Sequence, residues 1–442
     1  MKPMLEIQNR RAARVMCGAA IAAAALTTAG CNDFLKAENP GAIEADAVTD
    51  PRYIGLITNG VIGEFQPMHG FVAYWNAQFT DETYNRAVFF EEALIDRRDV
   101  GPENGTYAFF YYGNLHRTRF LADDGARRLR EILADSASRN INLARVLAYG
   151  GMSYVYLAEA LCESPIDLSA PQSPATLFGT AIERFEEAIE VADAAKAHAK
   201  TLTPIVSADT LAADSLRNFA LIGAARASLN IDDKAGAIAY AQQVPPNFEF
   251  RLYYSANSTR ENDWFWNRLG AGSNATMANT PFEAMAGDPR VPRSGVAGVL
   301  GLIPKAPSAF SAYDGTPTGA LFTPEGWNRI ASSLEAQYII AEAEGPTPAT
   351  LVFVNDRRAV GLQLPVALAG DALMAELRDQ RRRDLYLDNH RLGDLRRYLE
   401  FYGVDDFPQG PYPTSTTGET YRSDVTCWPL VLAEINDNPN VP

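Results

Sequence analysis

A chain of 442 residues with 47% hydrophobic and 21% charged side chains has a globular composition, long enough for about two or three domain-sized cores. Its 54 acidic against 39 basic residues give a net charge of −15, which repels phosphate backbones and anionic lipid and argues against a nucleic-acid binder. The 27 prolines spread along the chain argue against a coiled-coil rod and the moderate charge against a disordered tail.

The first thirty residues read as an export signal. Arg10, Arg11 and Arg14 precede an apolar run from Val15 to Leu26, too short for a retained membrane span, which ends in Thr27-Thr28-Ala29-Gly30-Cys31. Small residues before a cysteine suit a lipoprotein signal peptidase, so cleavage is expected at Gly30-Cys31, with residues 1–30 as leader and Cys31 as the lipid-bearing start of a 31–442 domain. Arg10-Arg11 alone does not specify twin-arginine export. Cys17 lies in the leader, which leaves Cys162 and Cys427 in the exported body; two thiols in an oxidising compartment predict one disulfide. His69, His116, His198 and His390 are far apart and no CxxC motif exists, so neither a metal site nor any other cofactor is expected.

After a short tether from Asn32 to Gly41, the chain turns helical. Leu143, Val146, Leu147, Tyr154, Leu157 and Leu161 recur mostly at three-to-four spacing and predict a buried helix over Ile141 to Leu161, in which Gly150-Gly151 permit close packing. Ser173-Pro174 reads as an N-cap followed by proline at the first helical position, opening a helix with Phe178, Ile182, Phe185, Ala188 and Ile189 on one face. Leu216 to Leu229 and Lys234 to Gln243 form a helical hairpin across Asn230-Ile231-Asp232-Asp233, with small contact residues as in tetratricopeptide-type repeats. A loop-rich insert follows from about 247 to 325, and long ordered loops on a helical scaffold are more often functional than accidental. Helical patterns resume over Ile330 to Glu344 and Asp371 to Phe401 before a tail rich in proline and glycine.

Several blocks carry a family resemblance together, in order and spacing. They are Cys31-Asn32-Asp33-Phe34-Leu35 with Asn39-Pro40-Gly41, Leu334 to Ala343 ending in alanine-glutamate-alanine, and Asn355 to Leu362. To these add Asp379-Gln380-Arg381-Arg382-Arg383-Asp384-Leu385, Asn389-His390-Arg391, Asp394-Leu395-Arg396-Arg397 and the tail from Trp428-Pro429-Leu430 to Asn440. The chain thereby resembles the SusD/RagB family of outer-membrane lipoproteins. It departs from the family pattern at Thr118-Arg119, Asn389 and Leu392-Gly393. The resemblance implies a mostly α fold, a helical body of tetratricopeptide-like helix pairs with a loop-rich variable lobe. It implies a surface-exposed, lipid-anchored outer-membrane protein that captures oligosaccharide for a SusC-like TonB-dependent transporter. Capture of peptide, as in RagB-like members, or a surface scaffold without a small ligand are the alternatives.

The arginines of the late block alternate with Asp379, Asp384, Asp388 and Asp394, which favours ion pairs and helix-end contacts over an anion site. An enzyme is not expected: the phosphate loop, GxGxxG turn, GxSxG elbow and HExxH helix are absent, and acidic pairs such as Asp81-Glu82 and Glu91-Glu92 are usually solvated faces. Sugar capture needs aromatic platforms beside amide, carboxylate or guanidinium groups. Two segments combine them: Tyr74-Trp75-Asn76 with Asp81, Tyr84, Asn85 and Arg86, and Asn262 to Arg268, where Trp264 and Trp266 share a face if extended. Tyr313 is a weaker candidate, and Trp428 is assigned to the core. If the leader reading holds, intact-mass analysis of membrane-extracted protein should show an acylated N-terminal Cys31, and Cys31→Ala should leave an unprocessed precursor; an unmodified Cys31 contradicts it.

Overall fold

The computed structural model describes residues 50–442 apart from 87–88, 205, 259–260, 262–267, 269–273, 286, 292, 295–302, 305–325 and 414–417. Helices dominate: α1 Ile54–Phe79, α2 Phe90–Asp96, a π-helical turn Tyr107–Tyr112 running into α3 Gly113–Leu133, α4 Ile141–Ala160, α5 Pro174–Thr201 and α6 Ser207–Leu229. They continue as α7 Lys234–Ala241, α8 Ser333–Glu344, α9 Pro348–Val360, α10 Gly370–Asp384, α11 Arg391–Tyr402 and α12 Leu432–Asp437. Short 3-10 turns lie at Pro51–Tyr53, Ala134–Arg139 and Pro281–Ala284, and three short antiparallel pairs accompany the helices: β1 Tyr84–Asn85 with β3 Ala275–Thr276, β2 Glu249–Tyr253 with β6 Trp327–Ser332, and β4 Arg293–Ser294 with β5 Ile303–Pro304. The chain divides into two units, Met1–Asp50 and Pro51–Pro442, and all of these elements belong to the second.

Helix starts follow local chemistry. The Ser173 hydroxyl accepts from the Thr176 amide at 3.3 Å, Asn140 caps α4 by accepting from Asn142, and Asp233 caps α7 by accepting from Gly236. Two expectations need correction. The segment from Ile330 does not begin a helix; Trp327–Ser332 is a strand buried along its whole length, so no polar alternation distinguishes it from a buried helix. The run from Asp371 to Phe401 breaks into α10 and α11, because Leu387 and Asn389 turn the chain through left-handed backbone at φ 61° and 59°.

Consecutive helices α3 to α6 pack against one another through small residues. Phe185 of α5, fully buried, fills the space left by two glycines: a Cβ on Gly151 of α4 would lie 2.8 Å from its ring, and one on Gly223 of α6 2.2 Å. Cys162 and Cys427 form a disulfide just past α4. Beside it the Cys162 amide donates to the Trp428 carbonyl at 3.0 Å and the Trp428 amide to the Ala160 carbonyl at 2.9 Å, so the tail is stitched to the helical body. The Trp428 ring is enclosed, stacked on Phe79, Tyr107 and Tyr111 with centroids 4.6, 4.9 and 4.4 Å away.

The late arginines form buried ion pairs. Arg391 grips both Asp81 oxygens at 2.6 and 2.8 Å, Arg381 holds Asp394 at 2.7 Å, and Arg397 reaches Glu342 at 2.7 and 3.0 Å and Asp394 at 2.8 Å. Arg396 caps the end of α4, donating to the carbonyls of Ala158, Glu159 and Leu161 at 3.0, 2.8 and 3.0 Å. Burial pushes the Asp81 and Asp394 carboxyls up, but Arg391 beside the first and Arg381 and Arg397 beside the second outweigh it and hold both below the usual range. Burial instead pushes Glu82 up to about 8 and Asp96 up to about 7.

Two predictions follow from this packing. Gly223→Ala has no room to relax against Phe185, so it should lower stability by about 1–3 kcal/mol in chemical denaturation, and an unchanged midpoint contradicts the close contact. The pH profile has two limbs. The stabilisation from the depressed Asp81 and Asp394 is present above the ordinary carboxylate pKa of about 4 and lost as pH falls through their folded values. That from the raised Glu82 and Asp96 is complete below about 4 and lost as pH rises through about 8 and about 7. Burial also holds the His69 and His116 imidazoles down to about 3 and His390 below its usual range, which adds stability that is lost as pH falls below about 6.5. The test is therefore differential: Glu82→Gln should flatten the upper limb relative to the parent protein between about pH 4 and 8. An upper limb that this substitution leaves intact contradicts the assignment.

Candidate functional site

Of Asn262 to Arg268 only Arg268 lies within the described residues, and it lies against the first segment. Strand β1 pairs with β3, the Arg86 amide donates to the Asn274 carbonyl at 2.8 Å, and the Arg268 guanidinium lies 6.0 Å from the Tyr74 ring centroid and 5.9 Å from that of Trp75. Tyr74 and Trp75 do not serve as expected. Tyr74 and Trp75 are wholly buried, edge to face at 4.8 Å, because every residue of α1 from Met68 to Phe79 except Phe71 is enclosed. These rings have no face to offer a ligand.

Asn76 is buried too. Its amide donates to the Asn389 side chain at 2.8 Å, while its carbonyl accepts from the Tyr111 hydroxyl at 2.6 Å and the Trp428 indole at 3.2 Å. Asn85 is buried in β1, where its backbone amide donates to Asp96 at 3.2 Å. Arg86 is exposed. Trp264, Trp266, Tyr313 and Cys31 lie outside the described residues.

The exposed aromatics are others. Immediately beyond β1, Phe89 and Phe90 are 58% and 73% exposed, and Phe109 of the π-helical turn is 73% exposed. Phe89, Phe90 and the half-buried Phe110 line a concavity of about 380 Å³ together with Glu91, Glu92, Thr106 and Arg268. Phe89 precedes α2 in extended backbone, and Phe109 and Phe110 sit in the π-helical turn whose buried rings are Tyr107, Tyr111 and Tyr112. No sequence signal separates these doublets from Tyr74-Trp75, an adjacent pair that is buried.

The walls of the concavity are locked. Glu91, in the first turn of α2 where negative charge suits the helix dipole, accepts from the Gly105 amide at 3.2 Å, the Thr106 amide at 2.7 Å and the Thr106 hydroxyl at 2.6 Å. The Thr106 hydroxyl and these amides hold its carboxyl below the usual range. Asn104 completes the joint, donating to the Glu91 carbonyl at 3.3 Å and accepting from the Tyr107 amide at 2.9 Å.

Glu92 faces inward, 3% exposed, with Oε1 accepting from Arg268 at 3.3 Å. Burial raises its carboxyl, and Arg268 opposes that. The site thus places apolar ring faces beside a carboxylate and a guanidinium in a shallow, rigid setting, which suits reversible binding of a polyhydroxylated ligand.

Other concavities lack this combination. One of about 420 Å³ near the disulfide is lined by Glu159, Asn230, Arg396, Arg397 and Glu400 with Phe178 and Phe401, but Phe178 is buried and Phe401 half-buried, so it presents no largely exposed ring; one of about 370 Å³, lined by Asp81, Arg378, Arg382, Arg391 and Asp406, has no aromatic residue. A larger, open one of about 780 Å³ beside Arg130 and Glu187 has no aromatic residue. Among the described residues, no group of His, Cys, Asp and Glu is arranged to hold a metal ion, and no helix is long and apolar enough to cross a membrane.

No protein-family model and no curated protein matches this sequence. Solved structures do. A SusD-like carbohydrate binding protein from Bacteroides fragilis aligns with a TM-score of 0.61 at 13% identity over 89% of this chain and 99% of its own. A SusD superfamily protein from Bacteroides vulgatus gives 0.61 at 16% identity over 88% and 99%. Surface glycan-binding protein A from Bacteroides uniformis gives 0.60 at 11% identity over 88% and 98%. The alignments run through nearly the whole of both chains in each case, and the mostly α architecture described above is therefore the SusD-like fold.

Proposed function

We propose that this protein is a surface-exposed, lipid-anchored outer-membrane protein that captures oligosaccharide and passes it to a SusC-like TonB-dependent transporter. The reading rests on the SusD-like fold, on the leader ending at Cys31, and above all on the exposed rings of Phe89 and Phe90 beside Glu92 and Arg268, with the exposed Phe109 next to Phe110 of the lining. Large exposed aromatics held on a rigid scaffold are unusual unless a partner covers them. Here the sugar C–H faces cover the rings while Glu92 and Arg268 bind hydroxyls. The protein performs no chemistry on the ligand; it holds and releases it. Release requires modest affinity, a dissociation constant of about 1 μM to 1 mM, equivalent to roughly −8 to −4 kcal/mol.

A glycan screen on the mature chain followed by calorimetry tests this. Phe90→Ala should weaken binding of the best oligosaccharide by about five- to thirtyfold, 1 to 2 kcal/mol, with an unchanged melting temperature because the ring is exposed. Trp75→Ala, which empties a core site, should instead cost about 3–5 kcal/mol of stability. Affinity untouched by Phe89→Ala, Phe90→Ala and Phe109→Ala alike would place capture elsewhere.

A further inference from the structure

The concavity carries a preference that the fold alone does not dictate. Glu92 is 97% buried by its 3% exposure, and while Oε1 meets Arg268, Oε2 has no hydrogen-bonding partner among the described residues. A buried carboxylate oxygen left without a donor is destabilising, so it favours any ligand that brings one. An ionised carboxylate accepts only, and the donor a sugar offers is a hydroxyl. The neighbouring Glu91 cannot take this role, since Thr106 and Gly105 already occupy both of its oxygens.

The charges around the concavity act in the same direction. Its described lining holds two carboxylates, Glu91 and Glu92, against the single guanidinium of Arg268, which already faces Glu92 and lies over the Tyr74 and Trp75 rings. Arg86, though exposed, is not part of the lining. A ligand carboxylate or sulfate would meet a net negative wall, and like charges at an interface disfavour the wrong partner.

We propose, resting on the capture reading above, that the ligand is an uncharged oligosaccharide with a hydroxyl donating to Glu92 Oε2, and that acidic glycans are rejected at this site. The discrimination comes from Glu92 and from the net charge of the lining, whereas affinity in general comes from the phenylalanine faces. The two contributions can therefore be separated by experiment.

Calorimetry of the full mature chain with neutral oligosaccharides, and with uronate-bearing ones of the same length, reads this directly. The neutral series should bind at least about tenfold more tightly at low ionic strength, with the gap shrinking as salt is added. Glu92→Gln should weaken neutral binding and narrow the gap. The comparison of the two series in the unaltered protein stands even if that variant folds poorly. Uronate oligosaccharides binding as tightly as neutral ones, with binding lost in Phe90→Ala, would overturn the inference and leave the capture reading intact. Neutral affinity unchanged in a well-folded Glu92→Gln protein would also overturn it. Binding of neither series would overturn the capture reading and the inference with it.

Discussion

The paired grip of Arg391 on Asp81 is the constraint on which the rest of the arrangement depends. Asp81 lies just beyond the end of α1, and from there the chain runs through β1 to Phe89 and Phe90. The same short stretch is held a second time, by the Leu387 amide donating to the Glu82 side chain at 2.7 Å and the Tyr386 hydroxyl donating to the Glu82 carbonyl at 3.2 Å. The late block thus fixes where the binding segment leaves the core. Burying Asp81 and Arg391 has a desolvation cost that their attraction roughly offsets, so the pair contributes position more than stability. Losing one partner is another matter: an uncompensated buried charge costs about 3–5 kcal/mol. Arg381, Arg397 and Arg329 extend the same logic by tying α8, α10, α11 and β6 together through Asp394, Glu342 and Asp388.

Against that polar frame, the aromatic residues divide by task. Trp75, Trp428, Tyr107 and Tyr111 are enclosed, and their rings give the interior its packing. Phe89, Phe90 and Phe109 stay outside, at the start of α2 and on the π-helical turn, whose joint through Glu91, Thr106 and Asn104 leaves little freedom to fold the rings away. Preorganisation of this kind lets a shallow surface bind without a closing step, since little ordering entropy remains to be lost. On the proposed reading it is the shallowness of the surface, not its rigidity, that keeps the affinity modest enough for the ligand to be released.

Much of the scaffold was legible in the sequence because its signals are local. Ser173-Pro174 states a helix start, Asn230 to Asp233 a turn, and aspartates interleaved with Arg381, Arg382, Arg383, Arg391, Arg396 and Arg397 state ion pairing and helix-end capping. The strand at Trp327–Ser332 was hidden because both of its faces are buried, which removes the alternation that identifies a strand. The burial of Tyr74 and Trp75 was hidden for a related reason. Tyr74 and Trp75 look like platforms beside polar neighbours, yet α1 is enclosed on nearly all sides there, and amphipathic reasoning says nothing about a helix buried all round. Glu91-Glu92 reads as a solvated face, yet one carboxylate seals a joint and the other faces the concavity, a difference set by Thr106 and Arg268, distant in sequence.

Whether oligosaccharide is held on the Phe89 and Phe90 surface is decided most directly by a crystal structure with a bound neutral oligosaccharide. The expected result is a sugar ring stacked about 4 Å from the Phe89 or Phe90 ring, with a hydroxyl within hydrogen-bonding distance of Glu92 Oε2. Sugar seated instead in the groove beside Glu159, Arg396 and Glu400, with the phenylalanine surface unoccupied, would contradict it.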